Sequence, residues 1–397
     1  MKSFLCIAAL FALLTPLGAD AQQVADSTGR IVVVTVRGGY GKIFNTNDFL
    51  DGLNADGVAL RRYASESVCV GVQTTGSHLW EHEHNFPQFG AGLYAAQFDH
   101  PSDLGRPVSL YGFYKAPIRR FGQSAVNYKV ELGMAFNWTP YDAETNPYNI
   151  TIGSKATVHL SLGLEYVCTL ARRWQLGAGV ELTHFSNGAM RKPNKGLNLA
   201  TPYLAVSYLF GPMPDFRRRT DIVRRRGHEA FVALGGGMKR SELEGEQADR
   251  AESEGKSVYN DVRYGVGTLT GGYLRQYGNK GKFGGGLSLV YDDWLGSSLT
   301  VSENGGYRKH LGPFGKRMTL GLFAAHELCI DRLSILTHLG CYVAKSGSIE
   351  QSKPSVFERA GVKYHFKCNT FVGVNIYAHK FSKADFIEWN VGQRIPW

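Results

Sequence analysis

The chain has 397 residues, among them 48 glycines, with 12% aromatic residues and a formal net charge of +10. A chain of this length could bury a large core, but the sequence lacks the helical periodicity of an α/β enzyme. Its mean hydropathy of −0.20 is ordinary for a soluble protein. It also fits a membrane β-barrel, because barrel strands hide their apolar residues by alternation.

Residues 1–21 are predicted to be a secretory signal peptide. A positive charge at Lys2 precedes the apolar run 4–14, and small residues at 19–21 form a cleavage site. After cleavage no apolar run approaches the roughly 18 to 20 residues that a membrane helix needs, so any membrane insertion is predicted to use strands. In an exported protein the positive net charge favours anionic lipid headgroups or polyanionic sugars over nucleic acid, although solubility alone also explains it.

Segments in which apolar and polar residues alternate between turn residues are predicted to be β-strands. Sixteen such segments give an even number, as bacterial outer-membrane barrels require. We therefore predict an all-β, antiparallel transmembrane β-barrel, either one barrel of about 16 strands with an aqueous lumen or two tandem eight-stranded barrels. The predicted strands lie near residues 31–43, 65–75, 88–98, 106–117, 125–138, 154–169, 173–186, 197–210, 228–240, 258–275, 281–294, 315–329, 332–346, 356–367, 370–381 and 384–395.

The end of the seventh predicted strand carries the strongest indication of chemistry. Its even positions, from Trp174 to Leu182, are apolar, and the same face continues into His184 and Ser186. Residues two apart on a strand have Cβ atoms roughly 6.5 to 7 Å apart, which suits a nucleophile and its general base. Asn198 lies on the same face of the next strand, where its carbonyl can accept the Nδ1 proton of a histidine.

The order H-x-S-N, then P-N and a glycine with an apolar residue before a final strand, resembles the outer-membrane lipid A 3-O-deacylase (acyloxyacyl hydrolase-like) family. The resemblance is tight for residues 173–211 and loose for 31–172. It implies an eight-stranded barrel that hydrolyses the acyl ester at position 3 of lipid A with a His, Ser, Glu triad on its outer wall. Carried over by position, His184 is the base and Ser186 the nucleophile, while Asn187, Gly188 with the adjoining Ala189 backbone, and Asn194 lie near the developing oxyanion.

The sequence departs from the family in two ways. Asn198 stands where the family has an acid, which weakens the expected triad but leaves the serine and histidine in place. The family's small members also stop after eight strands, whereas this chain continues to a second half that ends on Trp397 and resembles a barrel's closing strand.

Strand order places the candidate site at the outer leaflet. With a periplasmic N-terminus, odd-numbered strands run outward, so the seventh strand ends where lipid A lies. Arg191, Lys192 and Lys195 follow in the next connection and are candidates for pairing with lipid A phosphates, although basic surface loops are common.

The predicted organisation is a signal peptide (1–21), an N-terminal barrel half with the site (22–210), a basic periplasmic linker (211–227) and a C-terminal half without the site (228–397). The arginines of the linker fit either a solvated segment or binding of an anionic surface. In the second half, His379 occupies the place of His184 but is predicted to face the lumen.

Two other groups of residues in the sequence carry side chains capable of chemistry. The cluster His78, Glu81, His82, Glu83 and His84 is a weak metal candidate without ordinary zinc spacing, and a solvated loop is the alternative. The five cysteines after the signal, an odd number, do not form the pattern of a disulfide framework.

Two functions follow as hypotheses. The first is an outer-membrane serine esterase that removes an ester-linked acyl chain from lipid A of lipopolysaccharide, with no metal or cofactor. The second is a passive outer-membrane channel or structural barrel with a degenerate deacylase site. The sequence leaves open which ester is cut and the oligomeric state.

Overall fold

The structure, a computed structural model, describes residues 30–171, 173–217, 223, 226–243, 246–253, 257–301, 307–345, 354–380 and 383–397. The predicted signal peptide and residues 218–222 and 224–225 of the predicted linker lie outside the described residues. Within the described part of the linker, the Phe216 ring lies 5.5 Å from that of Phe86 and 3.6 Å from the guanidinium carbon of Arg120.

Of the eighteen strands in the described residues, sixteen form two closed barrels, β1 to β8 and β9 to β11 with β14 to β18, while β12 and β13 pair as a separate hairpin. Short helices lie at Leu79–Glu83, Pro101–Leu104 and Glu246–Ser253, with a 3₁₀ turn at Phe314–Arg317. The strands are β1 Ile31–Ile43, β2 Arg62–Gln73, β3 Gln88–Phe98, β4 Gly105–Phe121, β5 Ser124–Trp138, β6 Ala156–Ala171, β7 Trp174–Ser186, β8 Leu197–Phe210, β9 Gly227–Lys239, β10 Tyr264–Gln276, β11 Gly281–Asp292, β12 Ser298–Val301, β13 Tyr307–His310, β14 Met318–Ile330, β15 Leu333–Ala344, β16 Val356–His365, β17 Thr370–His379 and β18 Lys383–Pro396.

The all-β antiparallel barrel is confirmed, but a single barrel of 16 strands is wrong, and the alternative of two eight-stranded barrels is right. The last strand of each set pairs with the first of the same set: Val32 is opposite Phe210, and Gly236 is opposite Trp389. Each set therefore satisfies its own strand edges, which would otherwise remain open to pairing. Both architectures have alternating strands and an even strand number, so these features of the sequence could not distinguish one barrel from two.

The alternation of β7 shows how the sequence sorts residues between the wall and the interior. Val180 and Leu182 are exposed on the outer face, while Glu181 and Thr183 are buried inside the barrel. This arrangement, apolar outside and polar inside, is the one that a lipid environment requires.

Paired charges fill the interior of the first barrel. The Arg37 guanidinium lies 2.9 Å from Glu131 and 3.1 Å from Glu181, and the Lys129 ammonium lies 2.9 Å from Glu181 and 3.1 Å from Glu131. An eight-stranded barrel is just wide enough for side chains to fill it. The wide aqueous lumen expected of a single 16-stranded barrel therefore does not form.

The interior of the second barrel also combines ion pairs with stacked rings. Arg359 pairs with Glu388, and the ammonium of Lys282 lies 2.8 Å from Glu229. Beside them the Tyr377 and Phe386 rings stack with centroids 4.6 Å apart.

By its contacts, the chain divides into two compact units whose limits differ from those of the barrels. The first unit contains the described residues of 30–139, 155–185 and 196–217, and the second contains 140–154, 186–195 and the described residues of 223–397. The boundary thus falls inside β7, after Phe185. Two connections of the first barrel belong to the second unit.

Across the described residues, none of the helices has the length and apolar character needed to cross a membrane. No disulfide joins the cysteines of this part of the chain, which are Cys69, Cys168, Cys329, Cys341 and Cys368.

Candidate active site

His184 lies on the outer face of the first barrel near the end of β7. The next residue, Phe185, points inward and is fully buried, with its ring 4.9 Å from that of His159 and 5.1 Å from that of Trp138. Because successive side chains of a strand alternate, this inward anchor directs the imidazole of His184 outward. The outward orientation is the one that the sequence predicted.

Asn198 lies directly opposite His184 in the pairing of β7 with β8. Its Oδ1 is 2.7 Å from the Nδ1 of His184. With the amide oxygen as acceptor, Nδ1 is the donor, and Nε2 keeps the free lone pair that a general base needs. The structure therefore brings together two of the three predicted catalytic side chains.

Gly196, the glycine of the motif, packs against the imidazole just before β8, a contact that the sequence did not predict. Its φ is +76°, and a Cβ at this position would lie 2.9 Å from Cε1 of His184. A side chain here would strain the backbone and displace the ring. In the sequence, the sign of this role is the position of the glycine directly before the apolar residue that begins β8.

Ser186 is the last residue of β7 and has the same strand parity as His184. It is only 2% exposed and belongs to the second unit, together with the 186–195 connection, which we call the serine loop.

Asn187 organises the serine loop. Its backbone N–H donates to Asn194 Oδ1 at 3.0 Å, and its Nδ2 donates to the Ser154 hydroxyl at 3.2 Å and to the carbonyl of Arg191 at 2.9 Å. These bonds bring Asn187 and Asn194 together, but they use the amide donors of Asn187 to hold the loop. The contribution of Ser154 was not foreseen, because that residue lies 33 positions away in sequence.

The turn of the serine loop contains two consecutive residues with left-handed backbone conformations. The φ angles are +62° at Gly188 and +63° at Ala189. Alanine rarely adopts this conformation, which costs about 1 to 3 kcal/mol and persists where its surroundings hold it.

The three predicted phosphate ligands fall into two groups. Arg191 and Lys195 are exposed. The Lys192 ammonium instead lies 3.4 Å from the Glu242 carboxylate, within the second unit.

In the weak metal candidate at 78–84, side chains bond to nearby backbone groups. The Glu81 carboxylate accepts the N–H groups of Gly76 and Ser77 at 2.7 and 3.0 Å, and His82 Nε2 lies 2.8 Å from the carbonyl of Gly76. Among the described residues, no group of three or more potential ligands is arranged to hold a metal ion.

Comparisons with known proteins support the assignment of both halves. Residues 68–207 match the family described as "Lipid A 3-O-deacylase (PagL)", and residues 228–397 match the "Acyloxyacyl hydrolase, C-terminal domain". Together the two matches cover more than half of the chain. No curated protein matches it.

Several solved structures are similar at low identity. The siderophore receptor PirA from Acinetobacter baumannii is 8% identical, with 94% of this chain and 69% of that chain covered and a TM-score of 0.26. PirA from Pseudomonas aeruginosa is 10% identical, with 92% and 80% covered and a TM-score of 0.28. A Rhodopseudomonas blastica porin mutant is 10% identical, with 92% and 100% covered and a TM-score of 0.17. Scores this low carry no argument, so the assignment depends on the two family matches. Residues 68–207 of this outer-membrane β-barrel protein therefore belong with the lipid A 3-O-deacylase family, and residues 228–397, which form the second barrel, belong with the acyloxyacyl hydrolase C-terminal domain.

Proposed function

We propose that the protein is an outer-membrane serine esterase that removes the acyl chain ester-linked at position 3 of lipid A. The observation that carries this proposal is the 2.7 Å hydrogen bond between His184 and Asn198 on the outer wall, two residues before Ser186. The match of residues 68–207 to the deacylase family supports lipid A as the substrate.

In the proposed reaction, the Ser186 hydroxyl attacks the ester carbonyl while His184 Nε2 takes its proton. The tetrahedral intermediate collapses with cleavage of the ester C–O bond, and His184 returns the proton to the departing sugar hydroxyl. Water then attacks the acyl-enzyme, with His184 again as base, and releases a fatty acid and the free Ser186 hydroxyl. No step needs a metal or a cofactor.

The oxyanion requires donors that develop their strongest bonds in the transition state. We assign this role to the backbone N–H groups of Gly188 and Ala189 and to the side-chain amide of Asn194. Asn187 then acts by shaping the loop, since its own donors already bond Asn194, Ser154 and Arg191.

Asn198 fixes the imidazole without supplying negative charge. Its carbonyl keeps the proton on Nδ1, but it stabilises the imidazolium less than a carboxylate does. We therefore expect a working but attenuated triad, so that the rate of the reaction depends more on oxyanion stabilisation.

The surroundings of His184 fit a lipid substrate. Leu182 and Leu204 are 58% and 65% exposed on the same outer face, which offers an apolar wall to acyl chains. Arg191 and Lys195, exposed on the serine loop, are suited to the lipid A phosphates through charge-assisted bonds.

The test is the acyl pattern of lipid A, measured by mass spectrometry, in cells that express the wild-type chain, Ser186→Ala or the matched control Ser124→Ala. Ser124 lies at the start of β5, where its hydroxyl bonds Tyr166. We expect loss of one ester-linked chain with the wild type and the control, and unchanged lipid A with Ser186→Ala. Unchanged lipid A with the wild type would favour the passive barrel, which conductance in planar bilayers tests directly.

A further inference from the structure

We propose that residues 240–243 and 257–259 of the segment after β9, together with Ile387 of β18, position the serine loop and its oxyanion donors. This assigns a positioning role in catalysis to the C-terminal domain, and it rests on the proposed function of Ser186. All of the contacts that carry it lie within the second unit.

Two contacts hold the left-handed turn of the serine loop. The N–H of Arg240 donates to the carbonyl of Ala189 at 2.9 Å. At Gly188, an added Cβ would lie 2.4 Å from Cγ1 and 2.6 Å from Cδ1 of Ile387, so the glycine backbone is in close contact with that side chain. The two residues whose N–H groups we assign to the oxyanion are thus the two held from the C-terminal domain.

A salt bridge adds a third contact on the far side of the turn. Lys192 and Glu242 have side chains only 21% and 30% exposed, and their charged atoms are 3.4 Å apart. This pairing also explains why Lys192 is less available than Arg191 or Lys195 for a lipid phosphate.

The neighbouring connection, 140–154, is fixed by the same segment and supports the serine loop in turn. The hydroxyls of Tyr141 and Ser257 are 2.8 Å apart, and the rings of Tyr141 and Tyr259 meet edge to face at 5.1 Å. From this connection, Ile150 accepts the N–H of Lys195 at 3.1 Å. The serine loop is therefore held both directly and through a second loop.

The physical reason for such support is the conformation of the turn. A left-handed alanine such as Ala189 persists only where its surroundings hold it, and catalytic donors need placement to within about 0.5 Å. A loosened turn would lower transition-state stabilisation more than substrate binding. We therefore expect contact losses to reduce kcat with little change in KM.

The sharpest test is a steric pair in the full-length protein. Gly188→Ala places a methyl group into Ile387, and we expect about a 30-fold or greater loss of kcat, because the overpacking adds to the strain of a left-handed alanine. Ile387→Ala alone should lower kcat only about threefold. The double variant should regain at least about fivefold over Gly188→Ala, because the colliding atoms are gone while the strain remains. Absence of rescue overturns the positioning role.

A charge exchange tests the same contact without steric change. Lys192→Glu and Glu242→Lys should each lower kcat about two- to fivefold, and the double variant should recover it. A double variant that stays low with a raised KM would assign Lys192 to phosphate binding instead and contradict the inference at this contact.

Hydrogen exchange of the amides in 186–195 provides a readout independent of activity. Tyr259→Ala should accelerate exchange about three- to tenfold, while Tyr259→Phe, which keeps the ring contact, should not. The matched control is Asp331→Asn, in the turn between β14 and β15 at the opposite end of the strands from residues 240–243 and 257–259.

If Ser186→Ala keeps activity, the proposed function fails while the exchange result still stands. Unchanged exchange in Tyr259→Ala, with an active wild type, refutes the inference alone.

Discussion

The two barrels place a histidine near the end of their seventh strands, β7 and β17, but on opposite faces. His184 points outward and bonds Asn198, whereas His379 is 6% exposed inside its barrel with Nε2 3.2 Å from the Tyr342 hydroxyl. A shift of one residue along a strand exchanges the lipid face for the core. Strand parity, more than residue type, therefore separates a candidate catalytic group from a packing group.

The strongest test of this comparison replaces each histidine by alanine. His184→Ala should lower lipid A deacylation by about 10³-fold or more, as loss of a general base does, with little change in stability. His379→Ala should leave activity intact and destabilise its barrel by about 1 to 3 kcal/mol, because a buried bond and ring packing are lost. Acyl-release assays and urea unfolding in detergent measure the two effects. Equal loss of activity in both variants would contradict the distinction between His184 on the outer face and His379 in the barrel interior.

The buried charges offer a second comparison, on stability. Glu181→Gln leaves Arg37 and Lys129 without one carboxylate, and Glu388→Gln does the same to Arg359. Each change should cost about 3 to 5 kcal/mol, since breaking a buried pair leaves an uncompensated charge. Urea unfolding of the full-length variants in detergent measures it. If the free energy of unfolding of either barrel falls by less than about 1 kcal/mol, its interior is more hydrated than the burial of these side chains indicates.

The next prediction concerns the hydrogen bond between Asn198 and His184. Asn198→Asp should raise kcat about five- to thirtyfold, because a charge-assisted bond to the imidazolium is stronger than a neutral one. Asn198→Ala should lower kcat about two- to tenfold through the lost orientation of His184. Initial rates of acyl release from purified lipopolysaccharide check both, and a slower Asn198→Asp enzyme would contradict the assigned role.

The smallest expected effect concerns the exposed cations. Replacing Arg191 and Lys195 together by alanine should raise KM about three- to tenfold at low salt, and the difference should shrink as salt is added. Lys367→Ala, at an exposed turn of the second barrel, is the control. A salt-independent change would indicate a packing role for these side chains.

The sequence predicted the walls of the molecule better than its connections. The first strand was placed at 31–43, where β1 lies, and the outward face of His184 and the position of Asn198 followed from period-two alternation. Alternation is a local property, so it can be read without knowing which strands meet.

Closure and loop contacts were not predictable in this way. Strand pairing of β1 with β8 joins residues far apart in sequence, and the partners of the serine loop, Ser154 and Glu242, lie in other connections. The predicted start of β10 at 258 was also too early, because the strand begins at Tyr264. The preceding residues form a loop instead, in which Asp261 pairs with Arg240.

The outward projection of His184 has a consequence for how a substrate reaches it. Ion pairs close the barrel interior, so a lipid cannot reach His184 through it. The lipid has to approach within the leaflet, by diffusion in two dimensions along the outer wall near Leu182. Encounter then depends on the fluidity and packing of the leaflet instead of on concentration in water. Tightly packed, cation-bridged lipopolysaccharide should slow the proposed enzyme even when every side chain of its site is in place.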